Sequence, residues 1–223
     1  MNLSLSIAEE NYIKVIYHLQ QTDDNVNTNE VAAALHTKAA SVTDMLKKLK
    51  QKKILNYEKY QGFRLSALGE KIALGIIRKH RLWEYFLVEK LQFGWDEVHE
   101  VAEELEHITS KKLIDKLAAF LGNPKFDPHG DPIPDSNGKL PFQQQVNLID
   151  LDINKKAEVT AVGSQSKELL DILKHKKIGI GTQLEIKKKF VFDHSVEIKI
   201  VGQTSFNISQ QLAQTLFVKP LSK

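Results

Sequence analysis

Apolar residues recur at helical spacing through most of the chain and switch to strand-like runs in its last third. Tyr12, Ile13, Ile16 and Leu19 mark one apolar face, so a first helix is predicted with its cap near Ser6. A polar stretch, Gln21 to Asn27, ends it, and Thr28-Asn29-Glu30 opens a short second helix carrying Val31, Ala32 and Leu35. After His36-Thr37-Lys38, Val42, Met45, Leu46 and Leu49 fall at i, i+3, i+4 and i+7, the spacing of a third helix. Ile54–Tyr60 and Phe63–Leu65 then read as two short strands around Gln61-Gly62. Ser66 caps a longer helix through Leu68, Ile72, Ile76, Ile77, Trp83, Phe86 and Leu87 to Leu91, and further helices fit Trp95–Ile108 and Ser110–Leu121.

The run from Asn123 to Pro141 holds five of the six prolines and is predicted to be an irregular connection that closes the helical part. Beyond it, Ala157–Val162, Thr182–Ile186, Val196–Val201 and, more weakly, Phe217–Val218 are strand candidates, interrupted by one helix over Ser166–Lys174. The predicted fold is mainly α with small β parts. A helix–turn–helix with a hairpin spans 1–68, a helical region spans 69–142, and a separate β-domain spans 155–223.

Composition narrows the function. The chain has 223 residues and no cysteine, so disulfides, iron–sulfur clusters and thiolate zinc sites are excluded. A metal would need His, carboxylate, amide, carbonyl or Met donors. The start, Met1 to Ser6, lacks the basic and apolar regions of a secretory signal, and no apolar run approaches the roughly 20 residues that cross a bilayer. A cytoplasmic protein without a membrane partner is expected. Net charge is only +3, so the placement of charge matters more than its sum.

That placement is uneven. Between Lys38 and Lys53 stand six lysines and one acidic residue. Two short helices, a tight turn and a hairpin are the parts of a winged helix-turn-helix. If Val42, Met45, Leu46 and Leu49 pack inward, the outer face of the third helix presents Ala40, Asp44, Lys47, Lys48 and Gln51, flanked by Ser41 and Thr43. Small residues at its start, Ala39 and Ala40, permit close approach to base edges, and Ser41, Thr43 and Asp44 can hydrogen-bond to them. Lys38, Lys47, Lys48 and Lys50 can neutralise phosphates, with Lys59 and Arg64 as contacts from the hairpin. A lysine-rich face is by itself often only a solvated surface; the order of elements is what points to double-stranded DNA.

A second pattern points to metal. His99, Glu103, Glu106 and His107 fall at i, i+4, i+7 and i+8, which is one shared face at about 100° per residue on the helix predicted over Trp95–Ile108. Two carboxylates and two imidazoles converging there need either solvent or a cation. His80 and Glu84 form an i, i+4 pair on the preceding helix, and the connection supplies Asp127 and His129. Oxygen and nitrogen donors of this kind suit manganese, iron(II), zinc or cobalt.

The residues that carry a family resemblance lie along almost the whole chain: Glu9 to Tyr17, Ala40-Ser41-Val42-Thr43, Leu65 to Gly69, Arg78 to Glu84, Glu103 to His107 and Asp127 to Pro134. On these the chain resembles the diphtheria toxin repressor family of metal-dependent regulators, which includes the manganese transport regulators. The resemblance implies a homodimer that binds palindromic operators when loaded with Mn2+ or Fe2+, with Zn2+ or Co2+ as substitutes in vitro. It also implies an SH3-like fold for the C-terminal domain and a repressor of metal-uptake genes. Glu103, Glu106 and His107 match the helix ligands of the family's primary site, and Asn11 its N-terminal ligand position, usually Met or Asp. Glu103 stands where iron-responsive members carry Cys, which places the chain nearer the manganese branch. Lys14 stands where a binuclear manganese regulator has Glu, and an ammonium cannot bridge two cations. His80, Glu84 and His99 match the ancillary ligands, and Asp127 and His129 match loop ligands of some streptococcal members. Ser166 and Leu169 stand at the positions of the usual C-terminal ligands, with Gln165 and Glu168 beside them.

Two other readings remain open at this point. A di-metal carboxylate enzyme on a helical bundle needs two Glu-x-x-His motifs, and Glu104–His107 is the only such spacing. A DNA-binding protein with a vestigial metal site has Lys14 as its argument. The expectation is a regulator rather than an enzyme.

Overall fold

A computed structural model describes residues 4–22, 25–58, 62–108 and 110–221. The chain forms two compact units: Met1–His80, Glu104–Asp115 and Pro134–Lys139 make the first, and Arg81–Glu103, Lys116–Ile133 and Leu140–Lys223 the second.

In the first unit, helix α1 covers Ile7–Gln20. Ser6 starts it with a reciprocal capping box: its hydroxyl accepts from the Glu9 N–H while the Glu9 carboxylate accepts from the Ser6 N–H. Helix α2, Thr28–Ala34, opens the same way on Asn27 and Glu30. Helix α3, Ala39–Gln51, buries Val42, Leu46 and Leu49. Strands β1 (Leu55–Glu58) and β2 (Gly62–Leu65) pair antiparallel, and Val26 bridges Phe63 as a third short partner. Gly62 permits this approach: its φ is +97° and a Cβ would lie 2.5 Å from the Val26 carbonyl oxygen. Ile13, Ile16, Val31, Val42, Leu49, Ile54, Phe63 and Leu65 form one apolar core. These are the parts of a winged helix-turn-helix, with the tip of the wing, and so Lys59, outside the described residues.

Helix α4 runs Ala67–Leu91, its first turn held by the Ser66 hydroxyl accepting from the Gly69 N–H. Helices α5 (Val98–Leu105) and α6 (Lys111–Phe120) follow. Helix α5 is shorter at both ends than the periodicity predicts. It stops at Leu105, so Glu106 and His107 leave the helical face and lie in the turn after it. The shared face expected for His99, Glu103, Glu106 and His107 is therefore not formed.

The second unit contains a six-stranded antiparallel sheet in the order β3-β8-β4-β5-β6-β7, made of Val146–Asn147, Leu216–Pro220, Lys156–Val162, Gln183–Lys189, Val196–Ile200 and Phe206–Ile208. Helices α7 (Lys167–His175) and α8 (Gln210–Thr215) and a single 3-10 turn at Leu148–Asp150 belong to the same unit. The sheet begins at Val146, ahead of the boundary at 155 expected from the pattern, because β3 is too short to show a period. Its core joins Val159, Leu173, Ile186, Ile198 and Val218, with Trp95 packed against it.

Candidate metal centre and nucleic-acid interface

The outer face of α3 is exposed along its length. Lys38, Ala39, Ala40, Ser41, Thr43, Asp44, Lys47 and Lys48 are all exposed, opposite buried Val42, Leu46 and Leu49. Lys38 caps the helix without a side-chain hydrogen bond, and the first turn holds no acidic residue, so its amides keep their positive field. The Thr43 hydroxyl donates to the Ala39 carbonyl at 3.0 Å. Asp44 and Lys47 form an exposed pair at 3.0 Å. Arg64 is half-buried in β2 opposite Asn56, less outward than a wing contact was expected to be.

Within the second unit, Glu84 of α4 meets Asp127 and His129 of the proline-rich connection. Glu84 and His129 are wholly buried, and ligand atoms of all three lie within 4.8 Å of one another. The loop is built around Asp127, whose Oδ1 accepts the backbone N–H groups of His129 and Asp131, each at 2.9 Å. Gly130 allows the turn: its φ is +88°, and a Cβ would collide with the Thr160 carbonyl oxygen. The Val162 N–H donates to the His129 carbonyl, and Gln165 donates to Asp131 Oδ2 at 3.0 Å. His129 stacks on Trp95 with ring centres 5.7 Å apart, and its Nε2 donates to the Trp95 carbonyl at 2.8 Å.

That last bond fixes the chemistry of the ring. With Nε2 donating to the carbonyl, Nδ1 is the ring nitrogen left for a ligand, and it faces Glu84 Oε1, 4.0 Å away. Nδ1 of His129 and Oδ2 of Asp127 are buried without a hydrogen-bond partner among the described residues. Burial pushes the Asp127 carboxyl well above the usual carboxylate range, and the neighbouring Glu84 and Asp131 charges push the same way, partly opposed by Arg81. Arg81 Nε stands 3.5 Å from Asp127 Oδ2. A divalent cation would satisfy these lone pairs and replace repulsion with attraction, so the donor set fits a metal.

His99 lies beside this cluster, Nδ1 3.3 Å from Glu84 Oε1 and Nε2 3.5 Å from Glu103 Oε1. The hydrogen bonds to Glu103 and Glu84 raise its pKa to about 10, so it carries a proton at neutral pH. Glu103, expected beside Glu106 and His107, instead has a half-exposed side chain engaged with His99.

A different cluster sits within the first unit. Glu106, fully buried, receives Lys14 Nζ on both oxygens, at 2.7 and 2.9 Å, and has His80 Nδ1 2.6 Å from Oε2. Burial raises the Glu106 pKa, but the His80 hydrogen bond and the Lys14 charge outweigh it and hold the carboxyl below its usual value. His107 Nδ1 lies 2.7 Å from Glu10 Oε2, which aims Nε2 toward Glu106 Oε1 at 3.9 Å. Lys79 stands 3.8 Å from the same Glu10 oxygen. Asn11 is half-buried on α1, next to Glu10. Sequence reasoning missed Glu10, Trp95, Arg81 and Asp131; the i, i+4 pairing of Glu10 with Lys14 was the available signal for the first.

Comparison with known proteins gives three family matches along the chain. Residues 4–63 match the iron dependent repressor N-terminal DNA binding domain, 66–135 the iron dependent repressor metal binding and dimerisation domain, and 146–220 the FeoA domain. The iron-dependent repressor IdeR of Mycobacterium tuberculosis is 25% identical over 220 residues, 94% of this chain and 96% of that protein. The HTH-type transcriptional regulator MntR of Oceanobacillus iheyensis is 34% identical over 118 residues, 53% of this chain and 80% of that protein. A solved manganese-dependent transcriptional repressor in complex with manganese superposes with a TM-score of 0.87 at 29% identity, covering 96% of this chain and all of that one. On this sequence identity, coverage and fold, the chain belongs to the iron-dependent repressor family of metal-dependent transcriptional regulators.

Proposed function

We propose that the protein is a manganese- or iron-responsive repressor of metal-uptake genes, acting in the cytoplasm without catalysis of its own. It binds palindromic operator DNA as a metal-loaded homodimer, with domains at 1–68 and 69–142 and a β-domain that, read from the pattern at 155–223, also takes in β3. The observation that carries the metal reading is the buried Glu84–Asp127–His129 set, whose Asp127 Oδ2 and His129 Nδ1 lone pairs have no hydrogen-bond partner among the described residues. A bound divalent cation adds to the partial compensation that Arg81 and protonated His99 already give this set. Glu84, Asp127 and His129 would hold it, with His99 joining once it loses its proton.

Glu106 and His107, with Asn11 as a neighbouring carbonyl donor, offer a second position. Glu10 fixes the ring orientation of His107, and α1 carries Glu10, Asn11 and Lys14. Ligation there would tie α1, and with it the helices that carry the DNA face, to the turn after α5. Ordering before DNA arrives lowers the cost of binding it. Reciprocity then requires DNA to tighten metal binding by the same factor, typically about 5- to 150-fold.

On the DNA side, Ser41 and Asp44 read bases while Lys38, Lys47 and Lys48 contact phosphate. Helix α6 keeps Leu113 and Phe120 exposed at 41% and 68%, apolar surface suited to a twofold contact. The test is binding to operator-type DNA at one fixed salt concentration, with chelator and then with Mn2+, Fe2+ and Zn2+, alongside sedimentation. Equal affinity in all conditions would leave a metal-independent DNA-binding protein, and a monomer at micromolar concentration would remove the dimer.

A further inference from the structure

The ammonium group of Lys14 lies on both oxygens of a carboxylate that is otherwise suited to a metal. The contacts are 2.7 and 2.9 Å, and the Glu106 side chain they reach is wholly buried. Lys14 is itself 13% exposed, so the pair is held in a low-dielectric setting rather than as a loose surface contact. Around it, His107 turns Nε2 toward Glu106, fixed from behind by Glu10, while His80 holds Glu106 Oε2 at 2.6 Å. A cation therefore already occupies the Glu106 carboxylate, and it belongs to the chain.

We infer that Lys14 is a tethered competitor for the Glu106 position, and that its ion pair sets how much free metal this site requires. The inference rests on the reading that Glu106 is a metal ligand. Lys14 must leave Glu106 before both carboxylate oxygens can serve an incoming ion, so the apparent Kd is the intrinsic Kd divided by the fraction of molecules in which the pair is open. A pair open one-tenth of the time weakens apparent binding about tenfold. The tether also changes what the metal-free protein looks like. Lys14 stands on α1 and Glu106 in the turn after α5, so the pair joins these two segments without any metal. Loading exchanges one cationic link for another, and the gain on loading is the difference between the two.

The decisive experiment is equilibrium dialysis of the full chain against Mn2+ alone, comparing the parent with Lys14→Gln, Glu106→Gln and Asp127→Asn. Glu106→Gln defines the manganese that depends on Glu106, and Asp127→Asn defines the other class. In Lys14→Gln the Glu106-dependent class should tighten by the reciprocal of the open fraction, about tenfold for a pair open one-tenth of the time, while the Asp127-dependent class keeps its Kd. Hydrogen exchange in chelator should show faster exchange of α1 amides in Lys14→Gln than in the parent, reversed by Mn2+. If the Glu106-dependent Kd is unchanged or weaker in Lys14→Gln, the competitor role is overturned while Glu106 remains a ligand. If Glu106→Gln loses no manganese, the ligand reading fails and the inference falls with it.

Discussion

His129 donates Nε2–H to the carbonyl oxygen of Trp95 at 2.8 Å while its ring lies flat on the indole, so one residue fixes both the tautomer and the plane of the other. The result is a bare Nδ1 facing two carboxylates, an arrangement that costs free energy until a cation arrives.

Asp127 makes that cost measurable. Its carboxyl is destabilised as an anion by burial and by Glu84 and Asp131, so raising the pH through its elevated pKa weakens the metal-free fold. Asp127→Asn keeps an Oδ1 acceptor for the loop amides and removes the charge. In chelator at pH 7 it should melt a few degrees higher than the parent, about 1–2 kcal/mol. The same variant should lose the melting-point rise that Mn2+ gives the parent. A lower melting point in chelator would contradict the assigned repulsion.

Gly130 tests the loop from another side. Alanine there must adopt a positive φ and push against the Thr160 carbonyl, so Gly130→Ala should cost more than about 2 kcal/mol. Denaturant unfolding measures it, and a change below half that size would show that the loop can move away.

His99 gives the pH dependence. Its folded pKa, about 10, lies above the ordinary 6.5, so the stability it contributes is complete below 6.5 and disappears as pH rises toward 10. In the metal-free protein, NMR titration should find the His99 ring protonated at pH 8, and Glu103→Gln should bring the titration down. Ring signals that titrate near 6.5 in the parent would remove the assigned contacts.

On the DNA face, Lys47→Ala and Lys48→Ala should weaken binding to every sequence and reduce the salt slope by about one per subunit. Ser41→Ala and Asp44→Ala should shift which base is preferred. Thr43→Val should do little to hydrogen bonding, since the Thr43 hydroxyl already donates to Ala39. Competition binding with single-base operator variants separates the two classes.

The DNA-binding unit was the part most readable in the sequence, because its signals are local. The cap at Ser6 and the Val42–Leu46–Leu49 stripe each lie within one element and form as their spacing predicts, while the equally local Asn27–Glu30 capping box is not predicted, Asn27 being counted with the polar loop. The metal residues were readable as types and only partly as partners. Asp127, His129 and Glu84 come together, but Glu103 turns to His99, and α5 ends at Leu105 before reaching Glu106. What decides this is long-range: Glu106 is claimed by Lys14, 92 positions away, and His107 by Glu10, 97 positions away. No periodicity encodes such pairs. Strands β3 and β7 escaped for a different reason, being two and three residues long, too short to show alternation.

If Glu84, Asp127 and His129 hold a cation as proposed, the burial of Glu84 and His129 has a consequence in time as well as in affinity. Ligand atoms with no exposed surface do not meet ions that diffuse past; an ion enters or leaves only while neighbouring groups part. The half-exposed side chain of His99 is the outermost member of the cluster and the natural place for that parting. Exchange at such a site would be limited by opening rather than by collision. A regulator built this way averages over brief swings in metal supply and answers only those that outlast its own opening.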